Sequence, residues 1–203
     1  MSVPGLIIAA PKSGSGKTVI TLALLRALSR RGLMVTSAKA GPDYIDPAFH
    51  SVASGQPCIN VDCWAMRAET TSSLIKRIER HSELVLCEGV MGLFDGATDG
   101  TGSTANLAAL TGWPVIVVVD VRGQAASVAA LLSGFVSHGD EVNISGVIFN
   151  QVGGPEHVRI LKEATHAALP NLSILGMLKR DKRLTLPDRH LGLVQASEQG
   201  DLN

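Results

Sequence analysis

Short unbroken apolar runs alternate along this chain with segments whose apolar positions recur every three or four residues. "GLIIAAP" at 5–11 is continuous rather than alternating, as a strand covered on both faces must be. "TVITLALLRALSRRG" follows, with Val19, Leu22, Ala23, Leu25 and Leu28 on one broad face; this predicts a helix that Gly32 ends. The same reading predicts strands at "LMVTSAK", "ELVLCEG", "PVIVVVD", "ISGVIFNQV" and "LSILGML". It predicts helices at "AETTSSLIKRIERHS", "STANLAALTG" (capped by Ser103), "GQAASVAALLSGFVSHG" and "PEHVRILKEATHAAL". "AGPDYIDPAFHSVASGQP" at 40–57 reads as a loop on its Gly, Pro and Asp content, and 89–102 as a glycine-rich connection. Strands that alternate with helices predict an α/β fold: a doubly wound, mostly parallel sheet with helices on both faces. Beyond Lys179 the pattern fades into a polar tail with one short excursion, "LPDRHLGLV".

Composition narrows the classes. The 203 residues are 45% hydrophobic, enough for one domain with a real core. Lys plus Arg equals Asp plus Glu at 18 each, so nothing global argues for nucleic acid or a membrane surface as partner. Any cation that meets an anion must therefore be local. Cys58, Cys63 and Cys87 are an odd number without metal spacing, as expected of reduced thiols in a cytoplasmic protein. "MSVPG" lacks the basic region of a signal peptide, and no apolar stretch reaches the roughly 18 residues of a membrane span.

The candidate chemistry starts at "AAPKSGSGKTVI", close to the phosphate loop G-x-x-x-x-G-K-[ST]. A predicted strand leads in and a predicted helix leads out. Backbone N–H groups of Ser13, Gly14, Ser15, Gly16 and Lys17 would surround an anion at a helix N-terminus. Lys17 suits the terminal phosphates of a nucleotide and Thr18 suits Mg²⁺. Pro11 replaces the first glycine; it fixes φ and offers no N–H. Lys12 adds a second cation, read either as a phosphate contact or as a solvated lysine.

Acids for Mg²⁺ are expected at the carboxyl ends of the strands. Glu88 ends "LVLCEG" there, where an unpaired buried carboxylate would be costly without a cation. "KAGPDYIDP" brings Lys39, Asp43 and Asp46 to the same edge, with Lys39 facing phosphates or a substrate anion and the acids facing metal or substrate. Tyr44 is the single tyrosine of the chain. Asp95 sits in the glycine-rich connection, and Ser103 and Thr104 open a helix whose N-terminus is electropositive. Asn150 ends a late strand, either as a reader of an adenine edge or as an ordinary polar terminus. The six histidines show no triad spacing, so covalent hydrolysis is not favoured.

Together, "APKSGSGKT", "KAGPDYIDP", "CEGVMGLFDG", "GSTANLA", "VVVDVRGQAASVAAL" and "LPDRHLGL" resemble the cobyrinic (or hydrogenobyrinic) acid a,c-diamide synthase family of cobalamin biosynthesis. The motifs stand in order over nearly the whole chain. The loop also resembles that of the wider dethiobiotin synthetase and ParA/MinD class of P-loop proteins, in whose ParA/MinD branch a lysine at the place of Lys12 reaches a partner subunit's phosphates. The resemblance implies a P-loop synthetase in which ATP, with Mg²⁺, phosphorylates the a and c carboxylates of a corrinoid polycarboxylate. Ammonia from glutamine then displaces phosphate. It implies a nucleotide cradle of Lys12, Ser13, Gly14, Ser15, Gly16, Lys17 and Thr18 with Asn150 at the adenine. Thr18, Glu88 and Asp43 are its metal candidates; Lys39, Asp43 and Asp95 its catalytic candidates; Tyr44 and Ile45 its substrate contacts. A homodimer is the assembly that the ParA/MinD likeness allows.

The family continues into a glutaminase domain with a nucleophilic cysteine. No cysteine here sits in a strand–turn–helix elbow. The expectation is therefore a synthetase domain at 1–195 with a polar tail at 196–203, using ammonia without hydrolysing glutamine. Sister activities on other tetrapyrroles (nickel-sirohydrochlorin diamide synthase, cobyric acid synthase) share these residues. Dethiobiotin synthetase fits "GPDYIDP" poorly. A ParA/MinD-like switch ATPase draws its support from Lys12.

Overall fold

The computed structural model describes residues 5–139 and 141–181. The chain runs β1 (Gly5–Ala9), α1 (Lys17–Arg30), β2 (Val35–Ala40), α2 (Asp46–Ser54), β3 (Ile59–Val61), α3 (Ala68–Glu79) and β4 (Leu84–Glu88). It continues α4 (Thr104–Thr111), β5 (Val115–Asp120), α5 (Val128–His138), β6 (Ile144–Val152), α6 (Pro155–Ala168) and β7 (Ser173–Lys179). The strands form one seven-stranded sheet in the order β3-β2-β4-β1-β5-β6-β7, and every pairing is parallel.

Alternate residues of each central strand feed two separate cores, because side chains alternate across a strand. Ile7 and Ala9 of β1 join Val85, Cys87, Val115 and Val117 under α3, α4, α5 and α6. Ile8 and Ala10 join Leu86, Ile116 and Val118 under α1 and α2. The sheet is thus doubly wound, and its reversal of winding direction opens a crevice at the carboxyl ends of β1, β2 and β4. Among the described residues no helix is long and apolar enough to cross a membrane.

Three elements differ from the sequence reading. The segment read as a loop at 40–57 contains a helix, α2, and a short strand, β3, follows it. Asp43 Oδ1 accepts the N–H groups of Ile45 and Asp46 at 2.8 and 3.0 Å and folds the turn into a helix that carries Pro47 in its first turn and ends at left-handed Gly55. Phe49 and Ala53 bury its apolar face. The residues that suggested a loop are the start and stop signals of a helix between them. The helix expected from Gly123 also starts later, at Val128, since 123–127 form turns closed by Gln124 N to Val121 O and Val128 N to Ala125 O. "LPDRHLGLV" and the expected tail lie outside the described residues.

Candidate functional site

The phosphate loop joins the end of β1 to the first turn of α1. Gly14 and Gly16 both take positive φ, +75° and +97°, so the backbone there is one that side chains avoid. A Cβ on Gly16 would also lie 2.2 Å from Asn150 Nδ2. Ser15 Oγ donates to Lys12 O at 3.0 Å and closes the loop on itself. Lys12, Ser13 and Gly14 are exposed, whereas Ser15 and Lys17 are buried. The N-terminus of α1 has no side-chain cap, which leaves its N–H groups to an anion.

Register places the charges. Lys39 lies directly opposite Glu88 across the β2–β4 pair, and Glu88 opposite Ile8 across β4–β1. Both side chains point to the face covered by α1 and α2. Glu88, 1% exposed, meets three partners there. Its Oε1 accepts from Thr18 Oγ1 at 2.7 Å and from Lys39 Nζ at 3.2 Å; its Oε2 lies 2.7 Å from His50 Nε2. Lys39 Nζ also meets Asp46 Oδ2 at 3.1 Å and stands 4.0 Å from Asp43 Oδ2. Asp46 and His50, four residues apart, present one face of α2 to this pair.

Burial alone would raise the Glu88 pKa, but the His50 hydrogen bond and the Lys39 charge overcome it and hold the carboxyl below its usual range. Burial likewise opposes the charged imidazole of His50, yet its contacts with Cys58 and Glu88 lift its pKa to about 9. Lys17 is pulled the other way: burial lowers its pKa against the attraction of Glu88. Lys39 is raised, its acids outweighing its burial.

The structure therefore brings Lys17, Thr18, Lys39, Asp43, Asp46 and Glu88 into one cluster, of which Lys17, Lys39, Asp46 and Glu88 are buried. Asp95 serves it indirectly: Oδ2 accepts from Gly92 N at 2.8 Å and folds the connection after β4. Asn150 Nδ2 donates to Ser15 O at 3.0 Å, and its Oδ1 accepts from Gln151 N at 2.9 Å, so this amide supports the phosphate loop. Tyr44 stands 90% exposed, while Ile45 packs against the core beneath α2. Ser103 caps α4 through Asn106 N, and Thr104 Oγ1 clasps both the N–H and the carbonyl of Val90. His50 is the residue that the sequence reading missed. Its signal was the spacing Asp46–His50, legible only once 46–54 is a helix.

Among the described residues no group of three or more His, Cys, Asp or Glu is arranged to hold a metal ion. Mg²⁺ takes one or two protein oxygens and completes its shell with phosphates and water. The hydroxyl of Thr18 against the carboxylate of Glu88, beside the loop, is a hard-oxygen pair of this kind.

The family model described as the CobQ/CobB/MinD/ParA nucleotide binding domain matches residues 6–194. The chain belongs to that family. Hydrogenobyrinate a,c-diamide synthase of Rhizobium meliloti is 53% identical over 199 residues, covering 98% of this chain and 46% of that protein. The Brucella ovis protein of the same name is 54% identical over 199 residues, with 98% and 45% covered. The chain thus spans a little under half the length of these curated relatives. Hydrogenase maturation factor HypB from Archaeoglobus fulgidus superposes with a TM-score of 0.56 at 18% identity, covering 87% of this chain and 81% of that one. A nucleotide-binding protein in complex with ADP from the same organism gives 0.56 at 12% identity, covering 90% and 84%. Those two likenesses concern the fold alone. Family membership and the phosphate loop agree on a nucleotide-binding domain.

Proposed function

We propose that residues 1–195 form the synthetase part of an ATP-dependent amidoligase that converts the a and c carboxylates of hydrogenobyrinic or cobyrinic acid to amides, in cobalamin biosynthesis. The observation that carries this is Lys39, a buried cation held between Glu88 of the metal pair and the acids of the "GPDYIDP" turn. It joins the nucleotide side of the crevice to an acceptor side. Two anions have to meet there, and a fixed lysine lowers the cost of their approach.

A carboxylate accepts ammonia only after one oxygen becomes a leaving group. Its oxygen attacks the γ-phosphorus in line and ADP departs, leaving an acyl phosphate. Lys17 offers its ammonium to the transferring group. Thr18 and Glu88 would hold Mg²⁺, which neutralises phosphate charge. Ammonia then adds to the acyl carbon, loses a proton and expels inorganic phosphate. Asp43, a quarter exposed beside Lys39, is placed on the acceptor side of the crevice. Ammonia would come from glutamine through a glutaminase domain outside these 203 residues, in keeping with the greater length of the relatives.

The test supplies ATP, Mg²⁺ and an ammonium salt with hydrogenobyrinic acid, cobyrinic acid and nickel-sirohydrochlorin, and reads product mass. Diamide formed from a corrinoid, with labelled carboxylate oxygen recovered in phosphate, is the expected result. Amidation of another tetrapyrrole alone would shift the substrate to that ring, and hydrolysis of glutamine by the chain would contradict the domain assignment. The exposed Lys12 at the mouth of the loop favours one other reading, a homodimeric ParA/MinD-like ATPase. Turnover stimulated by DNA or lipid instead of a corrinoid would select it.

Asp43→Asn isolates one role. Asparagine keeps the Oδ1 acceptor that folds the turn into α2 but removes the charge beside Lys39. Nucleotide affinity should stay at the wild-type value while turnover falls about 10²- to 10³-fold. Wild-type turnover in this variant would remove Asp43 from the reaction.

A further inference from the structure

Beside the charged crevice lies an apolar cleft of about 340 Å³, lined by Pro42, Asp62, Trp64, Val90, Met91 and Ala97 among others. It opens at the carboxyl ends of β2, β3 and β4. Trp64 is 71% exposed there and Met91 46%, whereas the other tryptophan, Trp113, is only 6% exposed. A large exposed indole beside a catalytic edge is a surface that lacks its apolar partner.

The indole is held rather than loose. Asp62 Oδ1 accepts the N–H groups of Trp64 and Ala65 at 3.0 and 3.2 Å, fixing the turn that carries it. Gly102, at φ +78°, presses its backbone against the same residue, where a Cβ would come within 2.7 Å of Trp64 Cβ. Asp62 is mostly buried and spends one oxygen on that turn, and the described residues that line the cleft include no lysine or arginine to meet a carboxylate. Its lining suits the uncharged face of a ligand. The cations lie next door. Met91, which lines the cleft, accepts the Lys17 ammonium on its carbonyl at 2.5 Å, and Gly41 and Pro42 lead directly into Asp43 and the Lys39 cluster.

We infer that this cleft seats the flat face of a macrocyclic polycarboxylate against Trp64 and Met91, so that a carboxylate arm projects into the crevice of Lys17 and Lys39. The inference rests on the amidation reading above and adds where the ring is gripped. One ring with several carboxylate arms needs such a split site: an apolar seat that any orientation of the ring can use, and a cationic crevice that takes one arm at a time. Trp64 then acts on acceptor binding and leaves nucleotide binding alone.

The test measures binding of hydrogenobyrinic acid without ATP, by calorimetry and by tryptophan emission, for the wild type, Trp64→Phe and Trp64→Ala. Binding of a fluorescent ATP analogue is followed in parallel. Trp64→Ala should weaken hydrogenobyrinic acid about tenfold, Trp64→Phe by much less, and neither should change nucleotide affinity. In turnover the alanine variant should raise KM with kcat nearly unchanged. Equal affinity of Trp64→Ala and wild type would overturn the seat while leaving amidation intact. A loss of ATP-analogue binding along with it would also overturn the inference, as a structural role for Trp64. If the wild type binds no tetrapyrrole of the panel, the amidation reading fails and the seat with it.

Discussion

Glu88→Gln is expected both to abolish Mg²⁺-dependent turnover and to weaken the fold. The carboxylate accepts from Thr18, Lys39 and His50 at once, and it is almost wholly buried. A glutamine presents an amide NH₂ to at least one of those donors, so donor faces donor. It also withdraws the negative charge that balances Lys39 and His50 in a dry site. Removing one partner of a buried ionic group costs about 3–5 kcal/mol, much of it from the charges left behind. Urea unfolding of the metal-free protein should show that loss as a lower midpoint with an unchanged slope. An unchanged midpoint would mean that Lys39 and Asp46 carry the site without Glu88.

Lys17→Ala should instead divide its loss between nucleotide binding and catalysis, with the smaller effect on stability. Lys17 is the first residue of α1 and is buried, so its ammonium would interact strongly with a phosphate bound at the loop. Charge-assisted hydrogen bonds contribute about 1.5–3 kcal/mol each, so nucleotide affinity should fall roughly 10- to 100-fold. Loss of a cation placed where charge develops should lower the phosphoryl-transfer rate by a further factor of about 10³. Fluorescent-nucleotide titration and single-turnover phosphate release separate the two. Full affinity in the variant would leave the cradle to backbone N–H groups alone.

How far these residues were legible differs element by element. β5, "VIVVVD", is buried on both faces, and a run without alternation is the mark of that environment. α1 follows its apolar spacing in part: Leu22 and Leu25 are buried as read, but Ala23 is exposed and Ile20, not read on that face, is buried. The position of the phosphate loop follows from the apolar strand before it, and that of Glu88 from the apolar strand it ends. α2 was not, because Pro47 and Gly55 mark both turns and helix ends, and composition cannot say which. β3 has three residues at the sheet edge, too few for any period to register. His50 was lost with α2. The contact of Lys39 with Glu88 depends on a pairing register across 49 residues of chain, which no local pattern encodes. The cleft around Trp64 is assembled from the three connections after β2, β3 and β4 and has no motif at all.

The edge of the sheet has a consequence for how the molecule breathes. Glu88 is a single knot through which β4, β2, α1 and α2 hold one another, by Thr18, Lys39 and His50. β7 lies at the far edge, with Ser173, Leu175, Leu178 and Lys179 open to solvent, and Asn150 ties its neighbour β6 back to the phosphate loop. Spontaneous opening should therefore start at β7 and α6 and halt at Asn150, as a partial unfolding that leaves the nucleotide half shut. Among the described residues, proteases and exchanging solvent would meet the chain from that side first, and the half around Glu88 would open last.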